Sequence, residues 1–308
     1  MRPTSLNCVY ELAQKDERVV FIGSDLGPGV LDEFKKNIPE RFFMEGVAEQ
    51  LIVGMAAGLA LEGFIPYVNT IATFLTRRCY EQNVLDLGLH NTNVRLIANG
   101  GGTVYAPLGP THLAIEDIAI MRAIPNMTIV SPADADEMRR FMMQTLDYEG
   151  PIYIRLGKGY DPIVSSDEFP FKIGKGILMK EGSDVLIVTT GISLALALEA
   201  SDELSKKNIS TSVLHMHTIK PLDKELLINA VDKVSAIITL EEHTILGGLG
   251  SSCAEVILEE GYNEKKLFKR IGIPDVFPGG YGNQKDMMAR QGISVSEVVR
   301  ISQDLLKT

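Results

Sequence analysis

The 308-residue sequence predicts an α/β protein that consists of two doubly wound domains with mostly parallel sheets. Short apolar runs alternate with helix-like stretches along the whole chain, which is typical of parallel sheets covered by helices. The length exceeds what one hydrophobic core usually holds, so we expect two domains. A segment rich in glycine, proline, serine and charged residues at 157–171 divides the alternating pattern into two parts.

The first part, residues 1–160, contains five apolar runs that we interpret as buried strands. In chain order they are RVVFIG (18–23), FIPYVN (64–69), NVRLIANG (93–100), MTIVSP (127–132) and PIYIRL (151–156). Helices are predicted after Ala48, over 70–89, after Leu113 and over 134–146. Asp134 and Asp136 are well placed to cap the last of these helices.

We interpret residues 161–173 as a linker and residues 174–308 as a second α/β domain. Its predicted strands are DVLIVTTG (184–191), STSVLHM (210–216), SAIITLEE (235–242) and LFKRIGI (267–273). Helices are predicted over 193–206, after PLD (221–223), after the GGLGSS turn (247–252) and over 294–306. We expect the last helix to pack as a terminal cap.

Composition excludes several classes of partner. The net charge is −10, from 40 acidic and 30 basic residues without a basic block, which argues against nucleic acid or an anionic membrane. Cys8, Cys79 and Cys253 show no CxxC spacing, so we expect neither disulfides nor a zinc site but a reducing compartment. The N-terminus has charged residues where a signal peptide is apolar, and the run 51–61 is too short to span a bilayer. We therefore expect a cytoplasmic protein.

The segment EGVAEQLIVGMAAGLAL (45–61) places Glu49 at the start of a helix made mostly of small and apolar residues. Short side chains let other backbones approach on all sides, so we expect Glu49 to be largely desolvated. A buried carboxylate without a partner is costly and tends to take up a proton, which indicates a specific partner such as a ring nitrogen. The alternative is a glutamate that is stabilised only by the dipole at the helix N-terminus.

Two further residues belong with Glu49. Phe74 lies in a helix-like stretch that presents Arg77 and Tyr80 at i+3 and i+6, roughly on one face. His112 follows the glycine-rich loop ANGGGTVYAPLGP and precedes a helix. A carboxylate, an aromatic ring and a histidine at the ends of successive strands lie where doubly wound folds bind ligands. Taken singly, Phe74 fits a core position and His112 a structural loop position.

Together these motifs resemble the C-terminal two-thirds of the transketolase family. The matching segments are GVAEQ…AAGLA (46–60), TFLTRRCYEQ (73–82), GPTHLAIED (109–117), RAIPNMTIVSPADADE (122–137), TIKPLD (218–223) and LEEHTILGGLGSS (240–252). The resemblance covers nearly the whole chain, in order and at family spacing. It implies that residues 1–160 are the pyrimidine-binding domain of a thiamine diphosphate enzyme and that residues 174–308 are the transketolase C-terminal domain.

The resemblance also implies roles for single residues. In this family the glutamate that matches Glu49 bonds N1′ of the cofactor's aminopyrimidine, and the aromatic residue that matches Phe74 stacks on that ring. The histidine that matches His112 moves protons to and from substrate oxygens, so we predict Glu49 and His112 as catalytic. Arg77 and Tyr80 complete the predicted cofactor-binding set. Alternatively, Arg77 pairs with a carboxylate at the surface and Tyr80 packs in the core.

The resemblance further implies a split enzyme. The family's diphosphate domain carries a GDG motif with a downstream asparagine, and no GDG occurs in this sequence. Glycines 100–102 do not form a P-loop, because no Lys-Ser or Lys-Thr follows them. We therefore expect a partner subunit that binds Mg²⁺ and the diphosphate of thiamine diphosphate, no metal on this chain, and a two-plus-two heterotetramer.

The expected acceptor site departs from the family pattern. Leu108 lies at the position where transketolases carry an acidic residue that recognises a hydroxyl group of the acceptor. The family's phosphate-binding histidine falls at Gly100 or Gly101, and a serine of the first strand–helix turn falls near Gly29. We therefore expect a modified or nucleotide-linked sugar, or a small aldehyde or ketone, in place of the usual phosphorylated aldose.

Basic residues remain near the family's phosphate positions. Arg2, Arg155 and Lys158 are predicted to bind substrate, although Arg155 fits a structural ion pair equally well. In the second domain we expect structural roles for His215, His217 and His243.

The sequence thus predicts the C-terminal subunit of a transketolase-like transferase that needs a partner subunit. It would move a two-carbon ketol unit from a ketose donor to an aldehyde or sugar acceptor. Two alternatives remain open: the β subunit of a 2-oxoacid dehydrogenase, and a non-catalytic assembly partner.

Overall fold

The structure of the protein is a computed structural model that describes residues 1–24, 29–157, 159, 161–262, 266–280 and 282–307. Lys158, one of the predicted substrate-binding residues, lies outside the described residues.

The described residues form two sheets with helices on both faces. In chain order the strands are β1 (Val19–Gly23), β2 (Phe42–Met44), β3 (Ile65–Ile71), β4 (Arg95–Asn99), β5 (Thr128–Val130), β6 (Ile152–Leu156), β7 (Ile177–Lys180), β8 (Val185–Thr189), β9 (Thr211–His215), β10 (Thr218–Lys220), β11 (Ala236–Thr244) and β12 (Leu267–Ile273). The helices are α1 (Arg2–Lys15), α2 (Asp32–Asn37), α3 (Glu49–Leu61), α4 (Ala72–Thr76), α5 (Tyr80–Gln82), α6 (Asp117–Arg122), α7 (Ala135–Met142), α8 (Ser193–Ser205), α9 (Lys224–Val231), α10 (Leu249–Glu259), α11 (Gln284–Arg290) and α12 (Val295–Leu306).

The first sheet has the strand order β10-β5-β6-β4-β3-β1-β2, and all its strands are parallel except β10. Side chains of consecutive residues point to opposite faces of a strand. Phe21 accordingly packs in the core beneath α1 and α7, whereas Ile22 packs in the core beneath α3, α4 and α6. Both faces are covered, so the strands read as continuous apolar runs.

The second sheet has the order β12-β11-β8-β9-β7, with β7 antiparallel to the rest. Helices α8 and α12 contribute to the core on one face, and α9 and α10 to the core on the other. The predicted fold class of two doubly wound, mostly parallel α/β units is therefore confirmed.

The prediction of a single helix over 70–89 is wrong. The chain forms α4, leaves helical geometry at Cys79, and resumes as α5 and a π-helical segment, Asn83–Leu89. The Cys79 thiol donates to the Phe74 carbonyl at 3.2 Å, and the Asn83 amide donates to the Leu75 carbonyl at 2.7 Å. These side chains satisfy carbonyl groups that a continuous helix would bond through its backbone.

Three strands were not predicted, and each is short and lies at or next to a sheet edge: β2, β7 and β10. Helices α1, α2 and α11 were not predicted either. The expected cap at Asp134 is confirmed, because its Oδ1 accepts from the backbone N–H groups of Asp136 and Glu137 at 3.0 and 2.9 Å.

None of the helices in the described part of the chain has the length and apolar character that crossing a bilayer requires. Cys8, Cys79 and Cys253 are buried free thiols.

Candidate functional site

The candidate site lies at the carboxyl-terminal edge of the first sheet, where doubly wound folds place ligands. Glu49 is the first residue of α3, and only 2% of its side chain is exposed. Its Oε2 accepts a hydrogen bond from Nη1 of Arg78 at 3.0 Å. Burial and this ion pair distinguish Glu49 from a solvated residue that is stabilised by the helix dipole alone.

Phe74, in α4, connects Glu49 to His112. The guanidinium carbon of Arg78 lies 4.1 Å from the centroid of the Phe74 ring, so the cation covers one face of the ring. The His112 imidazole meets the same ring edge to face, with the two centroids 5.3 Å apart. The fold therefore brings the three residues of the predicted constellation into one array through Arg78.

His112 lies in a tight turn, Pro110–His112, and is half-buried. Its Nδ1 shares a hydrogen bond with the hydroxyl of Thr111 at 2.9 Å. Gly109, with φ of +79°, joins this turn to the preceding one, a conformation that favours glycine.

Arg77 holds the segment that carries His112. Its Nε and Nη2 donate to the carboxylate of Glu116, with the Nη2–Oε2 distance at 2.9 Å. Nη2 also donates to the Leu113 carbonyl at 2.7 Å, and Nη1 to the Pro110 carbonyl at 3.3 Å. Arg77 thus forms the ion pair with a carboxylate that the sequence analysis gave as the alternative to cofactor binding. We interpret it as a positioning residue for His112.

Comparison with known proteins identifies the family. A model described as "Transketolase, pyrimidine binding domain" matches residues 1–160, and one described as "Transketolase, C-terminal domain" matches residues 174–298. The chain belongs to the transketolase family.

Several transketolase relatives are separate subunits of similar length. The chain is 36% identical to the 6-deoxy-6-sulfo-D-fructose transketolase subunit of a Clostridium species (strain MSTE9), over 99% of this chain and 94% of that protein. It is 34% identical to an apulose-4-phosphate transketolase subunit of Phocaeicola vulgatus, over 99% and 97%. A split-gene transketolase solved as an inactive β4 tetramer matches with a TM-score of 0.90 at 37% identity, over 99% and 98%.

These similarities confirm the predicted resemblance to split transketolases.

Tyr80 and Arg2, the other residues that the transketolase resemblance singled out, have less defined surroundings. Tyr80 is half-buried and packs against the apolar core beneath α3, which fits its core alternative. Arg2 begins α1, next to Met1, whose side chain lies beside Gly157 at the end of β6. The Nε of Arg2 is buried and has no hydrogen-bond partner among the described residues.

The contacts of Arg155 favour the structural ion pair over the predicted substrate binding. Only 6% of its side chain is exposed, and its Nε donates to Oδ2 of Asp117 at 2.8 Å. Its Nη2 donates to the carbonyls of Glu242 and Ala114 at 2.8 and 3.2 Å. Burial lowers the pKa of Arg155, but the charges of Asp117 and Glu242 outweigh it and the net shift is upward. Nε and Nη2 are thus engaged within the protein, which supports the structural alternative.

The glycine-rich loop follows the end of β4 and packs against this buried network. A Cβ atom at Gly100 would lie 2.1 Å from the ring of Tyr105, and one at Gly101 would lie 2.7 Å from Arg155. Neither position has space for the histidine that the predicted resemblance places there. Gly100 and Gly101 therefore allow the loop backbone to pack closely against Tyr105 and Arg155.

The loop also joins the two sheets. A Cβ atom at Gly102 would lie 2.4 Å from the carboxyl carbon of Glu242, and the N–H and hydroxyl groups of Thr103 donate to that carboxylate at 2.8 and 2.6 Å. Burial raises the pKa of Glu242.

The histidines of the second half of the chain are buried and bonded internally. His215 Nε2 pairs with the carboxylate of Glu137 at 2.9 Å, and His217 stacks on Phe171 with ring centroids 3.9 Å apart. His243 Nδ1 donates to the carbonyl of Thr244 at 2.7 Å. Within the described ranges, no group of three or more His, Cys, Asp and Glu side chains is arranged to hold a metal ion.

Two residues of the candidate site were missed in the sequence. Arg78 follows Phe74 by four residues, and that spacing alone was a signal that its side chain reaches the ring. Glu116 lies within the GPTHLAIED motif, but its pairing with Arg77 depends on how α4 and α6 pack, which spacing does not reveal.

Proposed function

We propose that this chain is the pyrimidine-binding subunit of a split, thiamine diphosphate-dependent transferase that moves a two-carbon ketol unit from a ketose to an aldehyde or sugar acceptor. The observation that carries the proposal is the array of Glu49, Phe74 and His112. In it, a buried carboxylate, an aromatic ring and a histidine come from three separate motifs. Membership of the transketolase family supports the same reaction class.

The residues present fit an aminopyrimidine ring. Arg78, a planar cation with N–H donors, already bonds Glu49 and covers Phe74, so a planar nitrogen heterocycle has both partners it needs. When bound, thiamine diphosphate would supply the group that carries the two-carbon unit between donor and acceptor.

The chain's own residues would prepare and complete the transfer. Glu49 would accept a hydrogen bond from a ring nitrogen and share its proton, in a place from which burial excludes water. Phe74 would fix the plane of the ring by stacking. His112, held against Phe74 by the Arg77 clamp on its segment, would move a proton at a substrate oxygen.

The surface next to Glu49 supports a partner subunit. Helix α3 was expected to be packed on all sides, yet the stripe formed by Leu51, Gly54, Gly58 and Leu61 is only partly covered in the chain itself. Leu51 is 62% exposed, Leu61 is 64% exposed, and a Cβ atom at Gly58 would meet nothing within 4 Å. Such an apolar stripe with small central residues suits close packing against another chain. We propose that the partner binds the diphosphate and Mg²⁺ and that two copies of each subunit assemble.

The acceptor side of the site supports an unusual substrate. Leu108, at the position of an acidic residue in other transketolases, is 55% exposed close to His112. No histidine fits at Gly100 or Gly101. We therefore propose a modified or nucleotide-linked sugar, or a small aldehyde or ketone, as the acceptor. A clear preference of the complex for ribose 5-phosphate over such acceptors would contradict this part of the proposal.

A cytoplasmic location completes the proposal. Cys8, Cys79 and Cys253 are free thiols, which fits a reducing compartment. Cell fractionation tests this, and recovery of the chain outside the cytoplasm would contradict it.

Reconstitution tests the reaction itself. The chain is mixed with a subunit that carries a GDG motif, together with thiamine diphosphate, Mg²⁺, a ketose donor and a panel of acceptors. We expect two-carbon transfer only when both subunits are present. Release of CO₂ from a 2-oxoacid would indicate the dehydrogenase alternative. Unchanged turnover by the partner without this chain would indicate a non-catalytic role.

A further inference from the structure

We propose that Arg78 is an internal substitute for the aminopyrimidine: its guanidinium occupies the pyrimidine half-site in the free chain and must leave when the cofactor binds. This inference rests on the proposed function and adds to it a residue that sets cofactor affinity.

The evidence is that Arg78 makes both contacts that the proposal gives to the cofactor ring. Its Nη1 donates to the Glu49 carboxylate at 3.0 Å, and its guanidinium carbon lies 4.1 Å from the Phe74 centroid. The guanidinium is flat, cationic and rich in N–H donors, so it satisfies a buried carboxylate and an aromatic face together. A ligand that stacks on the same face and bonds the same carboxylate cannot bind while Arg78 is there.

The exposure of the two partners shows which side chain moves. The Glu49 side chain is 2% exposed and fixed at the first turn of α3, whereas the Arg78 side chain is 44% exposed. Arg78 can therefore withdraw into solvent, while Glu49 stays in place for the incoming ring. Its neighbour Arg77 is held by Glu116 and by the carbonyls of Pro110 and Leu113. The two adjacent arginines thus have different tasks.

This arrangement has one benefit and one cost for the chain. Arg78 keeps Glu49 paired before the cofactor arrives, which spares the free chain an unpaired buried carboxylate. In exchange, only the fraction of chains in which Arg78 has withdrawn can bind the cofactor, so the apparent affinity is reduced by that fraction.

Two measurements on the same variants test the inference. The first is the melting temperature of the full chain alone. The second is the Kd of thiamine diphosphate with Mg²⁺, measured by calorimetry on the chain reconstituted with its GDG-bearing partner. The variants are Arg78→Met, which keeps side-chain length without charge or donors, and Arg78→Lys, which keeps the charge but loses the flat guanidinium. Arg18→Met is the matched control, because Arg18 pairs with Asp16 just before β1, at the opposite edge of the sheet.

We expect Arg78→Met to lower the melting temperature of the free chain and to lower the Kd by about fivefold. Arg78→Lys should change both quantities in the same directions by less, and Arg18→Met should leave the Kd unchanged. General damage to the fold would weaken binding, so a less stable chain that binds more tightly is specific to the displacement of Arg78.

Two results would overturn the inference, and they are distinguishable. If wild type binds thiamine diphosphate while both Arg78 variants bind equally or more weakly, Arg78 is not a competitor of the cofactor, although the proposed function stands. If the wild-type complex binds no thiamine diphosphate, the proposed function fails, and this inference fails with it.

Discussion

The imidazole of His112 lies edge to face against the ring of Phe74, with centroids 5.3 Å apart. The two residues come from different motifs, one on α4 and one on the turn after the glycine-rich loop. Arg78 lies on a face of the same ring and extends the array to the buried carboxylate of Glu49. One aromatic ring thus connects the residue proposed to hold the cofactor to the residue proposed to move substrate protons.

Arg77→Met should lower kcat by about tenfold or more with little change in the Kd of thiamine diphosphate. The reason is that Arg77 clamps the 110–116 segment, so its loss misplaces His112 while Glu49 and Phe74 stay in position. Steady-state kinetics and calorimetry on the reconstituted complex measure the two quantities. Glu116→Gln should act in the same direction, and the double variant should be less than additive. A weakened Kd with unchanged kcat would instead place Arg77 against the cofactor.

Asp117→Asn should destabilise the chain by about 3 kcal/mol, because it removes the carboxylate charge that pairs directly with the buried guanidinium of Arg155. Urea unfolding of the full chain measures the change. Glu203→Gln, which breaks an exposed pair with Lys206, is the matched control and should alter stability little. Equal effects of the two substitutions would contradict the structural role given to Arg155.

The chain should lose stability as the pH falls from 6.5 to 5. Burial lowers the pKa of His217 to about 3, although Glu137 opposes this shift and His215 and Asp223 also face it. Over this range the unfolded chain takes up a proton at this position and the folded chain does not, so unfolding is favoured by about 1.5 kcal/mol in total.

Urea titrations at several pH values measure this dependence. His217→Phe, which keeps a ring against Phe171, should flatten the pH profile, whereas His90→Asn at an exposed turn should not. Burial alone would raise the pKa of Glu137, but the charge and hydrogen bond of His215 have a larger, opposite effect. The net pKa of Glu137 therefore lies below its ordinary value of 4.5. Glu137 therefore begins to contribute to the loss of stability only below pH 5. An equally steep profile in His217→Phe would contradict the assignment.

Most of the fold was predictable because its strands are covered on both faces. Runs such as RVVFIG and SAIITLEE have mostly apolar centres, and each corresponds to an observed buried strand, β1 and β11. The three residues of β10 carried no such signal, since β10 exists only through antiparallel pairing with β5, far away in the sequence. The break at Cys79 was hidden for a related reason, because the side-chain bonds that end α4 depend on tertiary placement.

The candidate site was predictable where a residue type is unusual in its local setting. Glu49 is conspicuous on a helix of small residues, and the fold indeed buries it. Arg155 was ambiguous in the sequence, because a basic residue at a strand end suits a ligand or an internal ion pair equally well. The hydrogen bond from Arg155 to Asp117 favours the internal ion pair.

Turnover of Glu49→Gln tests the central claim most directly. The variant keeps the size of the side chain and can still bond Arg78, but it cannot carry the charge or share a proton. In the chain reconstituted with its partner, thiamine diphosphate and Mg²⁺, we expect two-carbon transfer to fall by at least about 100-fold while the assembled complex stays intact by size-exclusion chromatography. Turnover equal to that of wild type would contradict the role of Glu49 and, with it, the proposed site.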